Sequence, residues 1–395
     1  MKVKKTEIMT VIISVILVHT TLIQRICSWD TFFYVRWLLA IILCGILLCN
    51  VNYICIRKNQ FLRYVLMAFI ICALFSSYTN RSGGMLHVGF FNIIFIVTLF
   101  AGMKYIENVG CADICINTVF IILFVYCVLN DMLMFAMPGK FMGSGNYILN
   151  NKFYIAYLHI VLLAFYGCKQ NRNRIFYLAM WIISIIVCSN MGSSTGITGL
   201  VIMFILSHIP YGWYEKLKRP VVAFITMLVC SVILLLKDSI LTLAPVQFIV
   251  TNLLNETLDL NSRTYIYAVL WKVLQIKPWF GFGAENNFNV CQQFLLISKN
   301  EAAPDAQNGL ADWLISYGRI GTVILIILVI LCFKKVQKNK SYMLMVGLYI
   351  FFVLSSVEID YDSIFFFLLA AYTYLTPEND YIEERQKNGK IKIGI

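Results

Sequence analysis

Charge is scarce in this chain: Asp, Glu, Lys and Arg make up 13% of its 395 residues, about half of what an ordinary soluble domain carries. Together with 60% hydrophobic residues, that scarcity excludes both a water-soluble globule and a disordered chain. Histidines are only four. His19, His87, His159 and His208 show no i, i+4 pair and no adjacent Cys pair, so no metal-binding spacing exists. A Walker-type glycine loop, a dinucleotide fingerprint and an HExxH pair are all missing, so no metal and no cofactor are expected. Repeats are absent too, which sets aside repeat-built architectures.

What the chain has is apolar length, with a mean hydropathy of +0.78. Apolar runs fall at 8–24, 36–55, 64–79, 88–103, 114–135, 153–168, 176–191, 195–209, 220–236, 315–333, 341–357 and 363–375. Runs of this kind suit a hydrocarbon layer of roughly 30 Å, where a helix must satisfy its own backbone. The expected fold is an all-α integral membrane protein of about 12 transmembrane helices. Residues 8–24 follow Lys2, Lys4 and Lys5 but precede no small-residue cleavage site, and read as the first helix and not a removed signal.

The formal charge of +12 does not point to nucleic acid, because the basic residues are dispersed over alternate short loops. With the N-terminus inside, 21 of the 32 Lys and Arg fall on inner segments. Arg25, Arg36, Arg81, Lys140 and Lys152 are left for the outer short loops. The positive-inside rule then places both termini in the cytoplasm of a multi-pass protein of the plasma (inner) membrane. Thirteen cysteines form an odd set, most of them inside apolar runs, where they act as small hydrophobes. Cys27 and Cys291 alone fall on the outer side.

Four parts follow: a bundle of about nine helices (1–236), an extracytoplasmic loop (237–314), three C-terminal helices (315–375) and a cytoplasmic tail (376–395). The loop is the one long polar segment. Asn261 or Ser262 can cap an amphipathic helix running to about Ile276, and the apolar positions Tyr265, Val269, Leu270, Val273 and Leu274 suggest a helix lying on the membrane surface. Pro278 ends it, and Gly281 and Gly283 permit a tight turn or a close backbone approach.

Arg263 opening that helix, Trp271, the run Pro278-Trp279-Phe280-Gly281-Phe282-Gly283, then Gln307-Asn308-Gly309-Leu310 and Tyr317-Gly318-Arg319-Ile320-Gly321 together resemble the O-antigen polymerase and ligase superfamily, which includes Wzy-type polysaccharide polymerases. The resemblance implies transfer of a glycan carried on undecaprenyl diphosphate to a sugar hydroxyl outside the membrane. It also implies, as partners, undecaprenyl-diphosphate-linked oligosaccharides, membrane lipids, and a flippase and chain-length regulator of the same pathway. Two departures favour a polymerase over a ligase. Gln307 stands where many members have a His, and Met191-Gly192-Ser193-Ser194-Thr195-Gly196 lacks the Arg often found in a Ser-Arg-Thr stretch.

Departure of a diphosphate calls for fixed guanidinium groups. Arg263 and Arg319 are the candidates, although each also fits an arginine at the lipid headgroups. Among the acids, Asp312 and Glu285 join the arginines as catalytic candidates. Trp271, Trp279, Gly281, Gly283, Gln307 and Asn308 are the substrate-binding candidates, with the reservation that Trp collects at membrane interfaces regardless. Asp131, near the end of its run, is costly in lipid and is expected to face the bundle interior. A lipid-linked oligosaccharide flippase or transporter, and a structural subunit, are the competing readings. Reporter fusions ending within 262–308 are expected to read the outer side and those ending at 338 the inner side; an inner reading for the loop overturns the assignment.

Overall fold

The computed structural model describes residues 4–26, 31–54, 60–81, 86–142, 147–169, 172–233, 243–248, 251–252, 263–284, 286–298, 301–302, 305–335, 342–356 and 361–375. Helices dominate. Six are long and apolar enough to cross a membrane: α1 (Lys5–Leu17, continued by a π turn, Val18–Leu22), α2 (Phe32–Cys49), α4 (Gln60–Thr79), α5 (Leu86–Val109), α6 (Ala112–Ala136) and α16 (Gly309–Lys335), with the four-residue α3 (Val51–Ile54) after α2. Shorter apolar helices are α8 (Lys152–Gly167), α9 (Arg174–Asn190), α10 (Ser194–Ser207), α12 (Pro220–Ile233), α17 (Tyr342–Leu354) and α18 (Ser363–Tyr374). Each sequence run therefore forms a helix.

Between these lie α7 (Pro138–Phe141), α11 (Tyr211–Leu217), α13 (Ala244–Phe248), α14 (Arg263–Ile276) and α15 (Asn287–Phe294). A two-stranded antiparallel hairpin, β1 (Leu296–Ser298) with β2 (Glu301–Ala302), is the one sheet among the described residues. The all-α expectation did not include it.

Apolar side chains face both ways. α8, α17 and α18 are buried on every side from Tyr154 to Tyr166, Met343 to Phe352 and Ile364 to Tyr374, the pattern of helices at the centre of a bundle. The outer helices instead expose large apolar residues, such as Leu38, Ile41, Met67, Ile71, Ile175 and Ile182. Apolar residues on that scale, inside and outside, fit a protein dissolved in lipid. α16 packs on α4 and α12, and α18 on α5.

At one end of the bundle, side chains bind helix ends together. Arg36 bonds the Thr20 carbonyl in the π turn at 2.8 Å and lies over the Phe95 ring. Gln24 donates to Ser363 Oγ at 2.8 Å, and the Tyr154 hydroxyl donates to the Leu22 carbonyl at 2.6 Å. At the opposite end, Glu107 binds Lys104 at 2.7 Å and Lys335 at 2.9 Å. Helix ends far apart in sequence are thereby held in register.

Asp131 does face inward. Its Oδ1 lies 3.4 Å from Nε2 of His159, whose Nδ1 is 2.9 Å from Ser184 Oγ. The single Ser184 hydroxyl proton goes to the Met180 carbonyl at 2.7 Å, so His159 Nδ1 bears the hydrogen of its contact. Removing one member of a buried pair strands the other. His159→Leu is expected to destabilise the protein by about 3 kcal/mol, and the Asp131→Leu/His159→Leu double variant by less. Thermal unfolding in detergent reads this, and a double variant at least as unstable as the single refutes the pairing.

Candidate functional site

The geometry begins with a broken helix. α16 departs from helical geometry at Gly318, with φ 65° and ψ −166°. A straight helix would bond Arg319 N to the Ile315 carbonyl and Ile320 N to the Ser316 carbonyl. Both bonds are open here, and all four ends are taken by the turn that follows α14. Phe282 N donates to Ile315 O (2.7 Å), Gly283 N to Ser316 O (2.9 Å), Arg319 N to Pro278 O (2.8 Å) and Ile320 N to Trp279 O (3.1 Å).

Two glycines make this approach possible. Gly281 has φ 68°, and a Cβ there would stand 2.5 Å from the Ile315 carbonyl oxygen. At Gly318 a Cβ would strike the Trp279 carbonyl. L side chains rarely adopt such a φ, and none has room. The sequence-predicted close approach is thus to the backbone of α16.

The end of α4 clamps the same turn. Ser76 Oγ donates to the carbonyls of Phe280 and Ser316. Asn80 Nδ2 reaches the Gly281 carbonyl at 3.2 Å, its Oδ1 accepts from Lys277, and Ala284 N donates to Ser77 Oγ at 3.3 Å. Sequence reasoning missed these residues. The available signal was a cluster of polar residues, Ser76, Ser77, Thr79 and Asn80, closing an otherwise apolar run.

α14 starts at Arg263 and buries Ile266, Leu270 and Val273 against Phe282, Val290, Cys291, Leu295, Ala311 and Ile315. Its apolar stripe is covered by protein, which corrects the expectation of a helix lying on the membrane surface. Trp271, on the far side, is 66% exposed. Arg263's side chain, Ser262 and Glu285 lie outside the described residues.

Gln307-Asn308-Gly309 forms the start of α16. Asp305 Oδ1 accepts from Gln307 N at 2.9 Å, and Gln307 sits at φ 49°. Asn308 caps the helix by accepting from Ala311 N at 3.1 Å. Its Nδ2 donates to the Ser231 carbonyl at 2.9 Å, while Gly309 N donates to the Ser355 carbonyl at 2.8 Å. Nearby, the Tyr361 hydroxyl meets Ser355 Oγ at 3.0 Å. Burial pushes that phenol up to about 12, so it stays neutral at ordinary pH. Asp312 is 3% exposed and accepts from Ala306 N at 3.0 Å. Because α16 begins at Gly309, Asp312 and Trp313 belong to the helix and not to the loop. Trp313 is buried against Phe69, Tyr317 and Phe366.

Two candidates meet at the surface. The Arg319 guanidinium lies 5.6 Å from the centroid of Trp279, within reach of a cation–π contact. Arg319 is exposed and Trp279 is 59% exposed. The arrangement offers an anion-binding group beside an open aromatic face, both fixed by the turn's four bonds.

A family model described as O-antigen ligase matches residues 178–326. The match runs from within α9 to within α16 and takes in both the turn and the break at Gly318. It supports the O-antigen polymerase and ligase superfamily that the motifs resemble. No curated protein and no solved structure matches the chain.

Gly281→Ala and Gly318→Ala are each expected to destabilise the protein by about 2–5 kcal/mol, from left-handed backbone strain plus overpacking. Gly45→Ala, in open space within α2, is expected to be neutral or slightly stabilising. Thermal midpoints compare the three, and equal effects remove the mutual-approach argument.

Proposed function

We propose that this membrane protein is a glycosyltransferase that polymerises undecaprenyl-diphosphate-linked oligosaccharide repeat units into a surface polysaccharide: a capsule, an exopolysaccharide or an O-antigen. The observation that supports this is the Trp279–Arg319 pair, in a segment matching a family of lipid-linked glycan chemistry. Arg319 binds the diphosphate of the donor, and the face of Trp279 packs on its sugar. Arg263, at the start of α14, supplies the second guanidinium. Chemistry is substitution at the anomeric carbon. The bond from that carbon to the diphosphate oxygen breaks, its electron pair leaves with the diphosphate, and the acceptor hydroxyl oxygen forms the new bond as its proton departs.

A fixed cation favours this because negative charge grows on the leaving oxygen while the transition state forms. Asp312, buried and holding the Ala306 amide, acts as a positioning residue for the segment 305–308. Glu285, the sequence neighbour of Asn286, is the carboxylate assigned to receive the hydroxyl proton. Gln307 and Asn308 set the start of α16 beside that segment, Asn308 as its buried cap. A ligase that transfers finished glycan is the second reading, favoured by the description of the matching family. In a deletion strain, single repeat units at the surface identify a polymerase, and accumulated long lipid-linked chains identify a ligase.

Arg319→Ala and Arg263→Ala are each expected to slow polymerisation by roughly 100-fold, the scale of losing one preorganised partner to a developing charge. Lys272→Ala, exposed on α14, is expected to matter little, as exposed charges contribute about 0–1 kcal/mol. Glycan length on gels, at matched membrane levels, separates the outcomes; arginine variants that behave like Lys272→Ala remove the arginines from the site.

A further inference from the structure

Beneath the turn lies a cavity of about 450 Å³ lined by Asn80, Lys277, Phe282, Asn286, Asn289, Val290, Gln292 and Gln293. That volume is within the roughly 300–1,000 Å³ of small-molecule sites. Its lining is unusual: five carboxamides and one ammonium group, with no carboxylate among the described lining residues.

Much of the amide chemistry is already committed to holding the wall. Asn80 is engaged with Gly281 and Lys277. Asn286 donates to the Phe282 carbonyl at 2.9 Å and accepts from Asn289 at 3.0 Å. This holds the Asn289 amide through its Nδ2. Among the described residues nothing binds the Gln293 carboxamide. Among the described residues Lys277 hydrogen-bonds only the neutral Asn80 oxygen, and it lies 5.1 Å from the centre of the Phe282 ring. No acid among the described residues neutralises it.

Sugar hydroxyls both donate and accept, and a carboxamide offers one group of each kind side by side. An ammonium group without an acidic partner favours a ligand that brings its own negative charge. We infer that this cavity is a subsite for one sugar residue of the glycan, and that Lys277 selects a residue bearing an anionic substituent, a carboxylate or a phosphate. The inference rests on the glycan-transfer reading above and deepens it. The cavity shares Phe282 and the Asn80 clamp with the turn that carries Trp279, so a chain seated there would lead to the Trp279–Arg319 edge.

The test uses the full chain in nanodiscs and saturation-transfer NMR titrations with three probes: methyl glucoside, methyl glucuronide and methyl glucoside 6-phosphate. One charged contact at a partly exposed site corresponds to a preference of about fivefold. A charged glycoside is expected to bind about that much more tightly than the neutral one, and the better of the two charged probes tells carboxylate from phosphate. Inorganic phosphate that competes as well as the charged sugars marks a plain anion site and overturns the sugar assignment. Lys277→Gln should abolish the preference, Lys277→Arg should restore it, and Gln293→Ala should weaken all three probes alike. Equal binding of charged and neutral probes, binding of none, or a preference that survives Lys277→Gln overturns the inference. Unfolding midpoints of the variants guard against misfolding. The parent reading fails separately: if Arg319→Ala leaves glycan length intact while the charge preference persists, the subsite stands and the polymerase assignment does not.

Discussion

The exchange of backbone hydrogen bonds at Gly318 is the constraint on which this end of the bundle depends. Two bonds of a helix are opened, and four bonds to the turn at 278–283 take their place. In surroundings this apolar, an unpaired peptide group is costly, so a broken helix persists only where something else satisfies its ends. The turn does so, and the α4 hydroxyls of Ser76 and Ser77 add further partners. Two motifs far apart in sequence are therefore one folded object. What Trp279 and Arg319 present to solvent is fixed by peptide groups and not by side-chain packing alone.

Much of the fold was legible because its cause is local. Apolar runs make helices in lipid whatever lies beside them, and each run read from the sequence contains a helix among its described residues. The helix beginning at Arg263 and its end before Pro278 were likewise written in periodicity and in proline's missing amide. Long-range matters were not legible. Glycines at 281 and 283 announced a close approach, but nothing local said that the backbone of α16 was the neighbour. Nothing local marked Trp313 as the core residue that it is. Asp131 signalled an inward acid, yet its partner His159 comes from a helix with no matching local cue. The hairpin at 296–302 is too short to leave a period-2 signature.

The acidic and amide residues between α14 and α16 and at the start of α16 sort by burial. Asp312 and Asn308 are turned inward and hold the start of α16 against Ala306, Ser231 and Ala311. Their conspicuous place in the sequence reflects the difficulty of starting a helix where three chain segments converge, since its first amides need acceptors. Asn289 and Gln293 lie on α15 with groups that no described residue binds. Polar residues that close a structure and those that face a ligand are alike in sequence, and only their hydrogen-bond accounting separates them.

The break also sets a depth. From Arg319 to Lys335 the lower shaft of α16 has seventeen residues, about 26 Å of helix at 1.5 Å per residue. With Lys334 and Lys335 at one headgroup layer, the shaft comes close to the roughly 30 Å of a hydrocarbon core. Arg319 then stands about where acyl chains give way to headgroups. The helix works as a ruler, and a bilayer only a few ångströms thicker or thinner would shift the guanidinium out of that layer.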